Sequence, residues 1–313
     1  MGYALFSILI FPGLLFLSMF GMFAEFADRK LYARLQNRVG PPWYQPQADF
    51  IKLLSKEEIV PDDADHAVFK VLPAVALTGV LTSSIYIPLW TRYALFSFEG
   101  DAIVVLYLLT LPTLSFFLAG WYSSSLFPTI GAVRVLTQLF AYEVPLFMAI
   151  LGPAIVAGSW SLSGVARFYG DHLGLWIFNL PGFVVAVVAL QGKLERLPFD
   201  IPEAETEIVG GSLTEYGGRL LAFFRLAIDV ELVVGAALLA AVFLPFGLGL
   251  PAGASFVLWL LKVLCIVALL AVIRTVMARL RIDQMVEFCW KYLATAAIFQ
   301  VLIDLVVKGV MAG

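Results

Sequence analysis

Residues 5–23 read LFSILIFPGLLFLSMFGMF, without one ionisable side chain, and residues 24–30, AEFADRK, set Glu25, Asp28, Arg29 and Lys30 directly behind them. A hydrocarbon layer about 30 Å thick is crossed by about 20 residues of helix, which is the length of this run. It has neither a basic leading segment nor an A-x-A cleavage pattern, so it reads as a retained membrane helix. Residues 67–90, 103–121, 139–159, 175–191, 220–246, 256–273 and 290–307 repeat the same length and apolarity. The expected fold is therefore an all-α integral membrane protein with eight transmembrane helices in one polytopic domain, residues 1–313. No internal repeat or low-complexity linker interrupts it.

The composition leads to the same place. Hydrophobic residues make up 61% of the 313 and charged ones 14%, with a mean hydropathy of +0.94, where a soluble domain carries about 25% charged residues. A water-soluble fold is excluded. The net charge of -3 offers nothing to a nucleic acid. Cys265 and Cys289 lie on separate apolar runs, and His66 and His172 are the only imidazoles, so this chain alone does not assemble an iron–sulfur, haem or zinc site. It has no G-x-G-x-x-G, P-loop or Ser/His/Asp set, and no catalytic residue, metal or cofactor is assigned to it.

Charge placement orients the bundle. Arg29, Lys30, Arg34, Arg38, Lys52, Lys56, Arg134, Lys193, Arg196, Arg219, Arg274, Arg279, Arg281 and Lys291 follow helices one, three, five and seven, whereas the other internal loops hold Arg92 and Arg167. The positive-inside rule makes the basic face cytoplasmic, and an even helix count then puts both termini outside the cell membrane. The long loop at 28–66 has its own organisation. Residues 28–38 continue helically, Gly40-Pro41-Pro42 breaks the run, and residues 47–54 set Phe50, Ile51, Leu53 and Leu54 against Asp49 and Lys52, the pattern of an amphipathic interfacial helix. Such a helix serves as a lipid anchor or as a ledge for a docked partner.

Ionisable side chains inside apolar helices cost about 2.5–3.5 kcal/mol each, which makes them pathway or pairing candidates. Glu143 opens the fourth helix without a partner at helical spacing, and Glu231 lies likewise alone on the sixth. Arg225 and Asp229 have the i,i+4 spacing of a local ion pair. Lys262 receives no role. Between helices five and six, Glu195-Arg196-Leu197-Pro198-Phe199-Asp200-Ile201-Pro202-Glu203-Ala204-Glu205-Thr206-Glu207 is followed by Thr214-Glu215-Tyr216. Crowded carboxylates at a partly dry site raise one another's pKa and can exchange protons near neutrality. On a helix, Glu203 and Glu207 share one face and Glu205 turns away. A solvated acidic loop is the alternative.

These stretches carry a resemblance. Glu25 to Lys30, Gln36-Asn37-Arg38-Val39-Gly40-Pro41, Gln45-Pro46-Gln47-Ala48-Asp49-Phe50-Ile51-Lys52-Leu53, Tyr142-Glu143-Val144-Pro145, Pro198-Phe199-Asp200-Ile201-Pro202-Glu203-Ala204-Glu205 and Thr214-Glu215-Tyr216 resemble the NADH dehydrogenase subunit 1 family of NADH:quinone oxidoreductase (complex I), which includes membrane subunits of energy-converting hydrogenases. The resemblance implies eight tilted helices at the junction of a peripheral redox arm and antiporter-like membrane subunits, and a role in coupling rather than electron transfer. It implies an ion pathway over Glu143, Glu203, Glu205, Glu207 and Glu215, with Asp229 and Glu231 as further members. It also implies redox-arm docking or a chamber wall at Arg29, Arg38, Asp49, Lys52, Arg196 and Asp200. Iron–sulfur clusters, with nickel–iron or quinone, are then expected in or beside the partners, a hydrogenase-like or quinone-reductase-like large subunit and an iron–sulfur subunit.

Only Pro42-Trp43-Tyr44 separates Pro41 from Gln45, a compact form that resembles the hydrogenase or ferredoxin-dependent branch more than the quinone branch. The expected function is that of a membrane-anchoring subunit of a complex I-related energy-converting oxidoreductase, coupling redox chemistry in the docked arm to proton or sodium movement. A quinone-chamber subunit, a stand-alone secondary transporter and an ion-inert scaffold are the alternatives, the transporter weakened by the missing inverted repeat.

Overall fold

The computed structural model describes residues 2–203 and 205–312, and for 2–4, 205–206 and 312 the backbone alone. Thirteen α-helices are described, with no strand among the described residues: α1 (Gly2–Leu9), α2 (Leu14–Leu35), α3 (Gln45–Ser55), α4 (His66–Ile85), α5 (Asp101–Tyr122), α6 (Leu126–Ala157), α7 (Leu162–Asp171), α8 (Leu180–Lys193), α9 (Glu205–Ile208), α10 (Gly218–Phe243), α11 (Ala252–Val276), α12 (Ile282–Phe288) and α13 (Ala294–Ala312). Eight spans are long and apolar enough to cross a membrane: Leu5–Leu35, α4, α5, α6, Leu173–Lys193, α10, α11 and Ile282–Met311.

The spans outrun the apolar runs of the sequence where polar residues point inward. The fourth span begins at Leu126, well before residue 139, because Arg134 and Gln138 meet protein rather than lipid. Pro145 and Pro153 lie inside it. The eighth span starts at Ile282 and carries a π turn, Cys289–Leu293. At the interfacial segment the expected 47–54 becomes α3, with Pro46 in its first turn, where a missing N–H costs no helical bond.

One helix forms the axis of the bundle. The most apolar window of α10 is 83% buried, against 33% for α11 and 28% for the eighth span, so α10 is the post around which the others pack. Small residues set its closest contacts. A Cβ on Gly21 would lie 2.9 Å from the Asp229 carbonyl, so Gly21 lets α2 and α10 touch backbone to backbone beside that acid. Gly218 has φ +55°, and a Cβ there would stand 2.3 Å from the Glu57 carbonyl oxygen; glycine is needed both for the conformation and for the seating of the first loop on α10. Tyr216 stacks on Phe69 with ring centroids 3.8 Å apart and donates its hydroxyl to the Phe69 carbonyl at 3.1 Å, which fastens the start of α10 to α4.

Candidate functional site

At the basic end of the bundle, where α2, α8 and α11 finish, a cavity of about 530 Å3 opens. Its wall is built from the turn after α8. Glu195 occupies a left-handed conformation (φ 51°), its N–H bonding to the Gly192 carbonyl at 3.1 Å and the N–H of Arg196 to the Gln191 carbonyl at 3.3 Å. That is a Schellman helix end with glutamate in the place usually held by glycine. Gln138 of α6 fixes the turn by donating to the carbonyls of Gly192 (2.7 Å) and Phe199 (2.8 Å), and Gln191 donates to Leu197 at 2.6 Å. The chain doubles back and presents Lys193, Glu195, Arg196, Asp200 and Glu203 to the cavity, which also takes Glu25, Arg29, Arg225, Glu231, Arg274 and Arg279.

Two ionic networks divide this wall. At the mouth, Asp28 is fully buried, forms an ion pair with Arg196 at 2.7 Å and accepts Arg274 at 2.9 Å; Glu25 accepts Arg29 at 2.6 Å and also Arg196. Burial works against the charge of Arg196, but Asp28 and Glu25 outweigh it and keep the guanidinium firmly protonated. Arg29 continues at 3.7 Å to Asp49 of α3, to which Gln45 donates at 2.8 Å. Arg279 bonds Asp200 at 3.2 Å; burial raises the Asp200 carboxyl, and Arg279 opposes the shift. Deeper in, the ammonium of Lys193 lies 2.9 Å from Glu231, both side chains 2% exposed, and donates to the Leu109 carbonyl. Lys193 is also the basic charge that acts on Glu143.

Glu195 stands between the two networks without an ion pair within 4 Å among the described residues, its Oε1 shut from solvent and without a hydrogen-bond partner. Burial, then the charges of Glu203 and Glu231, push its carboxyl well above the ordinary range. Asp200 Oδ1 and Glu231 Oε1, held by their ion pairs to Arg279 and Lys193, belong to the same cavity, which is polar and roomy enough to be wetted.

Several expectations need correction. Arg225 does not pair with Asp229; it turns to Glu203, at 3.8 Å, because Asp229 points to α2. Glu203 and Glu207 do not share a helix face, since α9 begins only at Glu205. Glu203 lines the cavity, whereas Glu207 is exposed outside it, bonded to Arg134 at 2.6 Å, and this hydrogen bond lowers its pKa. Glu231 is not alone but paired across helices. Glu215 is half-buried and is not among the described residues lining this cavity, and the Glu205 side chain lies outside the described residues. Arg38 lines a separate cleft with Arg29, Tyr32 and Arg274, and Lys52 is exposed on α3. Glu25, Asp28, Lys193, Arg274 and Arg279 belong to the site without an individual role expected from the sequence, and Glu195, expected only as one of the crowded carboxylates, lies in its wall. The signal for the first two was legible: acids three residues apart at a helix end share a face.

The sequence profile described as NADH dehydrogenase matches residues 7–305. The chain belongs to that family. It is 35% identical over 309 residues to an NADH-quinone oxidoreductase subunit of Brevibacillus brevis, covering 94% of this chain and 90% of the relative. It is 33% identical over 299 residues to NADH-quinone oxidoreductase subunit 8 of Thermus thermophilus, covering 91% and 82%. A chain in the structure of the membrane-bound sulfane sulfur reductase (MBS), an archaeal respiratory membrane complex, superposes with a TM-score of 0.85 at 25% identity, over 97% of this chain and all of that one. As a member of this family the chain is a multi-pass membrane protein of the complex I-like type.

Proposed function

We propose that this chain is the membrane subunit of a complex I-like respiratory oxidoreductase in which redox events in a docked arm are converted into proton or sodium movement. The observation that carries the reading is the run of cavity acids, Glu203, Glu195 and Glu231, leading from the charged mouth toward Glu143 past Lys193, with Asp229 beside α2. Glu195 is the exchanging group best placed to answer a charge change at the mouth, because it is not locked in an ion pair. Glu207 and Glu215 belong to the rim. Arg29, Arg38, Asp49 and Lys52, with the exposed Trp43, Tyr44 and Ile51 of the first loop, form the ledge on which the arm sits, and the basic face is cytoplasmic.

Within this class we favour the hydrogenase or ferredoxin-dependent branch. Eleven of the fifteen residues lining the cavity are ionisable, and Phe116, Leu194, Leu197 and Ile228 are its apolar members. A quinone head with an isoprenoid tail calls for a mainly apolar slot, so this wall does not fit it. The identity to a membrane component of NADH-quinone oxidoreductase favours the second reading, a quinone chamber. Purifying the complex and assaying hydrogen evolution against quinone reduction separates the two, and robust quinone reduction overturns the preference. The coupling reading is tested by Glu195→Gln and Glu143→Gln in complex reconstituted into liposomes: electron transfer persists and ion movement is lost. Unchanged pumping in both variants would make the chain a scaffold.

A further inference from the structure

At the opposite end of the bundle a second polar cluster lies in the interior, apart from the chamber and its acids. Asp304 of α13 has no exposed surface; its Oδ1 accepts Gln300 Nε2 at 2.9 Å, and its Oδ2 has no partner. Gln300, also without exposed surface, donates to the Phe178 carbonyl at 3.0 Å and accepts the Gly182 N–H at 3.2 Å. Asn179, 1% exposed, has an unpaired Nδ2, and the buried Tyr169 faces both Asn179 and Asp304, its hydroxyl 3.4 Å from the Pro153 carbonyl. Gly152 makes room for the carboxyl: a Cβ there would lie 2.4 Å from Asp304 Oδ2.

The charges around this carboxyl do not neutralise it. No Lys or Arg comes within 4 Å of Asp304 among the described residues; Lys308, one turn on, is exposed and makes no ion pair. Tyr169 is the titratable side chain facing it from the connection at that end, and on α6 the next is Glu143, nine residues before Gly152, about 13.5 Å along the helix. Lys193 ends α8 at the other face. A buried carboxyl with no counter-charge inside a membrane span is by default a functional group rather than half of an ion pair. The unpartnered Oδ2 of Asp304 and the Tyr169 hydroxyl, which can accept one proton while giving up its own, are the groups of this cluster able to pass a proton, the Asn179 amide serving only as a hydrogen-bond donor, and Asp304 is only about 10 Å from the end of its span.

We propose that Asp304 is a proton-exchanging carboxyl, a second site at which this chain itself takes up or releases a proton on the face opposite the chamber, by way of the Tyr169 hydroxyl. This rests on the coupling reading. The test uses the whole complex in liposomes with Asp304→Asn, which keeps size and hydrogen bonding to Gln300, and Glu143→Gln as the reference arm. Proton movement is lost in Asp304→Asn while electron transfer stays within about twofold, and infrared difference spectra of the wild-type complex show a protonated-carboxyl band that shifts in D2O and is absent from the variant. Normal pumping in Asp304→Asn beside loss in Glu143→Gln overturns this site and leaves the coupling reading standing; normal pumping in both overturns both. Should Asp304→Asn fail to assemble, Gly152→Ala, which displaces Oδ2, gives the pumping result and the wild-type spectrum decides alone: a carboxyl band that does not exchange in D2O overturns the proposal.

Discussion

Replacing Lys193 by Met strands Glu231. With the ammonium 2.9 Å from the carboxylate and an effective dielectric of about 20, the attraction is about 6 kcal/mol. Desolvating two ions costs several kcal/mol each, so the pair as a whole contributes little net stability, whereas breaking it leaves one buried charge and costs about 3–5 kcal/mol. At about 2.1 cal/mol/K of unfolding entropy per residue, a chain of 313 residues turns that into roughly 5–8 °C in apparent unfolding temperature. The double change Lys193→Met with Glu231→Leu removes the stranded charge together with its partner and recovers most of the loss. The assay is a double-mutant cycle on the purified complex in mild detergent, read by thermal unfolding. A single variant as stable as wild type, or a double variant no better than the single, would refute the claim that these groups are coupled inside a dry wall.

The remaining predictions concern the turn, the mouth and the ledge. Glu195→Gln stabilises the protein at neutral pH and has no effect near pH 4. The folded carboxyl titrates above its unfolded value, so folding loses stability as pH rises from about 4.3, and only the ionisable form suffers it; melting temperature against pH for both proteins checks this. Arg196→Met, which removes the guanidinium shared between Glu25 and Asp28, costs about 3–5 kcal/mol of stability, seen as a lower unfolding temperature. Gly218→Ala forces an L-residue into the left-handed region against the Glu57 carbonyl, costing about 1–2 kcal/mol for the conformation alone; limited proteolysis within 56–66 detects the loosened first loop. Ile51→Asp leaves the chain folded in the membrane, since Ile51 is 65% exposed, but abolishes co-purification of the peripheral arm.

The chamber gives these tests a common frame. Its mouth is a closed network in which arginines and acids neutralise one another, and its depth holds one tight pair and one acid without an ion pair. A charge change delivered at the mouth is felt most by a group not locked in an ion pair, which is why Glu195, set in a strained helix end, matters more to coupling than the more numerous acids of the rim.

The sequence alone determined that eight helices cross a membrane, because hydrocarbon thickness sets the length of an apolar run and each run is readable without its neighbours. The interfacial helix was legible on the same ground: Phe50, Ile51, Leu53 and Leu54 alternate with Asp49 and Lys52 over a length that is local. Tertiary structure alone decided the partners. Lys193 and Glu231 lie far apart in sequence and meet only because α8 packs near α10; Arg225 turns from Asp229, at helical spacing, to Glu203, beyond it; and Glu195 enters the cavity because of a left-handed turn that no side-chain pattern announces. Local periodicity encodes which face of a helix is apolar. The pairing of buried charges depends on which two helix ends are brought within 4 Å, and that is a property of the packing.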